Sequence, residues 1–218
     1  MDPPCKHPAD RGAELFPSTP TWPRHLEQQS NVTSMELGLT RTERGLGFQW
    51  VTANIVGWAI GFYVCEALNA FLSTVFVDGL VIGTAVGIAQ WLVLRRRFAP
   101  MGWWLVVSIV GFGAGKAVGD AFVQGIPPVV GYGLDGAIIG ASVGIGQWLV
   151  LRRHVARAGW WVIANIAAWA LAWSIIGFAE ASEGLPILMV YLVGATGAAV
   201  AGIITGIALI RLSRFRLA

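Results

Sequence analysis

Gly83-Thr84-Ala85-Val86-Gly87-Ile88-Ala89-Gln90-Trp91-Leu92-Val93-Leu94-Arg95-Arg96 returns later in the chain as Gly140-Ala141-Ser142-Val143-Gly144-Ile145-Gly146-Gln147-Trp148-Leu149-Val150-Leu151-Arg152-Arg153. The same shift carries Asp78-Gly79 onto Asp135-Gly136, and Gly102-Trp103-Trp104 onto Gly159-Trp160-Trp161. A weaker third copy, Gly202-Ile203-Ile204-Thr205-Gly206-Ile207-Ala208, runs on to Arg211 and Arg214 but has Leu209 where the other copies have glutamine. Self-similarity at a fixed period is the mark of a chain built from one supersecondary unit.

Each copy is an apolar run that ends on arginines, and a second run precedes each copy. In these preceding runs Trp50, Asn54, Gly57 and Trp58 correspond to Trp104, Ser108, Gly111 and Phe112, and again to Trp161, Asn165, Ala168 and Trp169. A membrane-crossing helix needs roughly 20 mostly apolar residues, because the hydrocarbon core is about 30 Å thick and each helical residue rises about 1.5 Å. Six stretches qualify, at 49–72, 77–94, 102–124, 130–151, 159–180 and 187–210. The expected architecture is all-α: a six-transmembrane-helix bundle of three parallel helical-hairpin repeats (48–97, 102–157 and 159–214) around a pseudo-three-fold axis.

Composition agrees. Of 218 residues 56% are hydrophobic and 12% charged, and the mean hydropathy is +0.65; an ordinary soluble domain is far more polar. The formal net charge of +3 says less than where the charges lie. Arg41 and Arg44 precede the first span; Arg95, Arg96 and Arg97 follow the second; Arg152, Arg153 and Arg157 follow the fourth; Arg211, Arg214 and Arg216 close the sixth. The opposite connections, 73–76, 125–129 and 181–186, hold no Lys or Arg. By the positive-inside rule both termini are expected in the cytoplasm of a multi-pass plasma-membrane protein. Trp50, Trp103, Trp104, Trp160 and Trp161, with Trp91 and Trp148, then read as one interfacial belt.

Residues 1–47 hold most of the prolines and no apolar run, and are expected to form a disordered cytoplasmic tail; residues 215–218 form a second, short one. Met35 opens a tidier frame and is a second candidate translation start.

Small residues recur every fourth position in the even spans: Gly79, Gly83 and Gly87; Gly136, Gly140 and Gly144; Ala198, Gly202 and Gly206. Lipid provides no hydrophobic drive for helix association, so such smooth stripes, where backbones approach closely, are the expected inner contacts, a glycine zipper.

The candidate sites are polar residues inside the spans. Asn54, Gln90, Ser108, Gln147 and Asn165 fall at one depth and form a candidate polar layer, either interhelical hydrogen-bond glue or the lining of a permeation path. Lys116 and Asp120, one turn apart in the third span, form a candidate intramembrane charge pair. Asp78 and Asp135 are expected to begin helices, where a carboxylate suits the free amides and the dipole.

Other motifs dissolve on inspection. Gly140-Ala141-Ser142-Val143-Gly144 has the spacing of a nucleophile elbow but no preceding strand. Gly115-Lys116 is preceded by Val110 and followed by Ala117 where a phosphate loop needs Gly and Ser/Thr. The three histidines, His7, His25 and His154, lie outside the spans, and Cys5 and Cys65 have no ligand or disulfide spacing. No catalytic residue, cofactor or metal is expected.

The repeated Gln-Trp-Leu-Val-Leu-Arg-Arg, preceded by Gly-xxx-Gly and followed by Gly-Trp-Trp, resembles a group of uncharacterised bacterial polytopic membrane proteins; residues 48–214 carry the likeness. It implies a bacterial inner-membrane location and brings no functional residues with it. Six-helix mitochondrial carriers share the count of three hairpins but have charged gate motifs that are absent here. Two functions are therefore carried forward: a non-enzymatic scaffold, anchor or regulator of a membrane complex, and a small transporter or channel. Membrane lipids, a membrane-protein partner and a second copy of the chain are the expected partners; nucleic acid is not.

Overall fold

A computed structural model of the chain describes residues 39–68, 74–97, 101–181 and 185–215. These form six helices: α1 (Arg41–Leu68), α2 (Val75–Leu94), α3 (Gly102–Val123), α4 (Pro128–Leu151), α5 (Trp160–Glu180) and α6 (Ile187–Ser213). No β-strand occurs among the described residues. All six helices are long and apolar enough to cross a membrane; even α2, with 20 residues, spans about 30 Å.

The ends follow local chemistry. Thr74 caps α2, its hydroxyl accepting from the Val77 amide at 3.4 Å. Pro128 opens α4 at a position where a missing N–H is harmless. Between α3 and α4 the turn passes through Gly125 at a φ of +79°, which a glycine adopts without strain.

The first helix starts at Arg41, inside the stretch expected to be disordered tail, and that boundary is corrected accordingly. Leu46 is buried, and Glu43 takes two hydrogen bonds from Arg214, from Nε at 2.8 Å and from Nη2 at 3.2 Å. Those bonds and the carboxylate charge raise the Arg214 pKa further above its already high value. Residues 1–38 and 216–218 lie outside the described residues.

Each helix packs on its two neighbours, and α6 returns to α1, so the six close into a ring. Glycines set the spacing. A Cβ on Gly57 would lie 2.7 Å from the Val86 Cα, one on Gly83 2.7 Å from the Phe112 Cβ, and one on Gly115 2.7 Å from the Ile139 Cα. At Gly140 it would run into the Asn165 carbonyl oxygen, and at Gly202 it would come within 3.0 Å of the Val51 Cα. Gly79, Gly83 and Gly87 thus face α3, Gly136, Gly140 and Gly144 face α5, and Gly202 and Gly206 face α1. In each of these pairs the register falls along one helix as it rises along the other, as in Gly79 with Lys116 and Gly87 with Leu105. Neighbours are therefore antiparallel, and the arginine clusters gather at one end of the ring, the basic end.

The distribution of side chains differs from that of a soluble protein in two respects. Asn54, Gln90, Ser108, Gln147, Asn165 and Thr205 are buried, whereas Ile60, Val110, Ile163 and Leu192 are each more than half exposed. Large aliphatic groups left outward on every helix need an apolar surrounding.

Candidate functional site

Inside the ring, near its basic end, Trp50, Trp104 and Trp161 meet. All three are 0% exposed, and their ring centroids stand 6.2, 5.9 and 5.7 Å apart, mostly edge to face. This corrects their assignment to an interfacial belt. Successive helical residues point about 100° apart, so one tryptophan of each Trp-Trp pair faces inward while Trp103 and Trp160 stay 68% and 63% exposed. Trp91 and Trp148 lie under the guanidinium groups of Arg95 and Arg152, at 5.0 and 5.1 Å.

An indole N–H can only donate, so each buried tryptophan needs an oxygen. Trp104 Nε1 donates to Gln90 Oε1 at 3.2 Å, and Trp161 Nε1 to Gln147 Oε1 at 2.9 Å. This orients both amides. Gln90 Nε2 then donates to Asn54 Oδ1 at 3.1 Å, and Gln147 Nε2 to Ser108 Oγ at 2.9 Å and to Gln90 Oε1 at 3.2 Å. Asn54, Ser108 and Asn165 each donate to the backbone carbonyl one turn back, that of Trp50, Trp104 and Trp161 respectively. Four of the five residues of the expected polar layer are thus linked side chain to side chain, and Asn165 joins through the Trp161 backbone.

The sixth member was not foreseen. Trp50 Nε1 donates at 3.0 Å to Thr205 Oγ1, whose own proton goes to the Ala201 carbonyl at 2.6 Å. Thr205 lies one turn before Leu209, and its hydroxyl gives the Trp50 indole the acceptor that Gln90 and Gln147 give Trp104 and Trp161. Only a search for any oxygen-bearing side chain within a turn of Leu209 would have found it.

Toward the basic end Leu94, Met101, Leu151 and Leu212 are buried; on the other side follow Trp58, Phe112 and Trp169, with the last two in edge-to-face contact at 4.9 Å. The polar layer is enclosed on both sides by apolar groups.

A second polar cluster lies nearer the opposite end. Lys116 Nζ donates to Asp135 Oδ2 at 2.9 Å, while Asp120 Oδ1 stands 4.0 Å away. The Lys116 pair is therefore chiefly with Asp135, and the assignment to Asp120 alone is corrected: the Asp120 side chain is 47% exposed, that of Asp135 3%. Asp135 does not begin a helix either; α4 starts at Pro128, and Asp135 sits two turns in. Asp78 does fall in the first turn of α2. Lys116 also stands 5.5 Å from the centre of the Trp173 ring. Asp135 Oδ1 and Trp173 Nε1 are the two buried side-chain polar atoms without a hydrogen-bond partner among the described residues.

Chemically this inventory is narrow. Among the described residues no three His, Cys, Asp or Glu side chains converge on a point where a metal could sit. Cys65 is a buried free thiol whose Sγ lies 3.7 Å from the Asp78 carbonyl oxygen. No protein-family model, curated protein or solved structure matches the chain.

Proposed function

We propose that this chain is a multi-pass protein of a bacterial plasma membrane, built from three like-oriented hairpins around a pseudo-three-fold axis. Both termini are cytoplasmic in this reading, and glycine stripes join each hairpin to the next. Its role is that of a non-enzymatic scaffold, anchor or regulator within a membrane complex. The observation that carries this reading is the buried tryptophan trio with its hydrogen-bonded amides: Trp50, Trp104, Trp161 and Ser108 are 0% exposed, and Asn54 and Gln147 1%. A permeation path needs polar groups that substitute for water along a continuous route. Here the polar groups of this layer are spent on one another and on the backbone.

The indoles close the route in a definite pattern. Trp104 of the second hairpin donates to the first, Trp161 of the third to the second, and Trp50 of the first to the third. Each hairpin thereby holds the next, which suits a rigid platform better than an alternating gate.

A transporter or channel is the second reading, and one observation favours it. The buried Lys116–Asp135 pair leaves Asp135 Oδ1 without a partner, and ionisable groups at membrane depth mark ion and proton pathways. Flux of small ions and polar solutes into proteoliposomes separates the two readings. The scaffold reading expects no flux from the wild-type protein; flux that disappears in a normally folded Gln90→Leu/Gln147→Leu variant overturns it in favour of transport.

A further inference from the structure

We propose that the outward groove between α5 and α6, at the basic end, binds one anionic phospholipid, its phosphate between Arg157 and Arg211 and an acyl chain along the groove. The inference rests on the membrane reading given above. The groove encloses about 490 Å³ and is lined by Trp160, Ile163, Ala164, Ala167, Ile204 and Ile207, with the two arginines at its mouth. The alanines make the floor low, and Ile163, Ile207 and Trp160, each half exposed or more, stand up as walls. That is a slot for a hydrocarbon chain, open to the surroundings along its length.

The mouth carries the charge. Arg157 and Arg211 are exposed, and neither makes an ion pair with a described carboxylate, whereas the neighbouring Arg214 is occupied by Glu43. The connection leading into α5 is tied to the end of α6 by a hydrogen bond from the Ala156 amide to the Phe215 carbonyl, at 2.9 Å. Arg157 itself has a φ of 60°, rare for a residue with a side chain, and its guanidinium lies 5.5 Å from the centre of the Phe215 ring. Two guanidinium forks beside an apolar slot match a phosphodiester with a chain attached. A basic pocket between helices at the cytoplasmic side is the expected form of an anionic headgroup site.

The groove also recurs. Trp103, Val107, Leu149 and Arg153 line one of about 320 Å³ between α3 and α4, and Ala53, Leu92, Val93 and Arg96 line one of about 280 Å³ between α1 and α2. In the sequence repeat Ala53, Val107 and Ala164 are equivalent positions. The α5–α6 groove is the largest of the three and has two arginines where each of the others has one, so it is the one assigned the anionic lipid.

Native mass spectrometry of the full chain in detergent tests this, with phosphatidylglycerol and phosphatidylcholine of identical acyl chains as probes. We expect one phosphatidylglycerol to bind more tightly than phosphatidylcholine. Arg157→Gln/Arg211→Gln is expected to weaken it roughly 10- to 30-fold. Arg95→Gln/Arg152→Gln, which removes the same charge outside the groove, is expected to leave it in place. Ala167→Trp, which fills the slot and keeps both arginines, is expected to weaken it as well. Detergent melting of the lipid-free variants establishes that each is folded. Equal binding of the two lipids, equal losses in the two arginine variants, or displacement by millimolar inorganic phosphate overturns the proposal. None of these results bears on the flux assay, so the two readings fail separately.

Discussion

The indole of Trp50 and the hydroxyl of Thr205, 155 positions apart in the chain, are joined by a 3.0 Å hydrogen bond between the first helix and the last. The bonds of Trp104 to Gln90 and of Trp161 to Gln147 do the same at two other places around the ring. Leu209 is buried, and Thr205 one turn away provides the oxygen that the Trp50 indole needs.

Thr205→Val removes that oxygen at nearly constant volume and leaves a buried indole N–H without a partner. The expected loss is about 1–3 kcal/mol, the cost of an unsatisfied buried donor, and toward the lower end in lipid, where such bonds average about 0.6 kcal/mol. Thr205→Ser should retain most of the stability. Adding Leu209→Gln to Thr205→Val should restore part of the loss, since it rebuilds the arrangement at Gln90 and Gln147. Melting in detergent reads all three; no recovery in the double variant would show that position 209 is not equivalent to 90 and 147.

Close backbone approach predicts a rank order. Gly83→Leu and Gly140→Leu place side chains where Phe112 and the Asn165 carbonyl already stand, and should lower the melting temperature more than Leu92→Ala, at an outward position. Overpacking at a tight contact costs about 1–3 kcal/mol or more, whereas an outward leucine loses only part of its contacts. An inverted order would place the glycine stripes on the lipid side.

The sequence carried the helices and their order because each is a long apolar run, with arginines alternately before and after it. The polar layer was legible too, since its members recur at equivalent positions. What could not be read was direction about each helix axis. Trp103 and Trp104 look alike in the chain, and only packing turns one out and one in. Arg41 to Gly47 read as tail because charge hid the helix there; the partner that holds Glu43, Arg214, lies at the far end of the chain. Asp135 looked like a helix start because a carboxylate suits free amides and the dipole, although Pro127-Pro128 upstream was the stronger start signal. The pairing of Lys116 with Asp135 crosses from α3 to α4, and neighbour spacing within one helix points instead to Asp120.

Orientation is testable directly. Reporter fusions placed after Arg97 and Arg153 should read as cytoplasmic, and those after Gly125 and Ala181 as external, if the arginine clusters stay inside. The reverse result at two or more of the four sites would invert the bundle.

The buried charge pair gives the sharpest prediction about stability. Removing one partner from a buried ion pair strands the other in an apolar surrounding and costs about 3–5 kcal/mol, while replacing both by apolar groups is often close to neutral. Lys116→Met and Asp135→Leu should therefore each destabilise the bundle strongly, and the double variant should recover most of the loss. Asp120→Asn should change little, because its carboxylate is half exposed and stands 4.0 Å from the ammonium. Melting in detergent of the four variants forms a double-mutant cycle, in which strong coupling between Lys116 and Asp135 is the expected outcome. Additive losses at Lys116 and Asp135, or a loss at Asp120 as large as that at Asp135, would return the pair to the single turn of α3. Should the apolar double variant be as stable as the wild type yet lose a flux that the wild type shows, the pair would serve transport and not the fold.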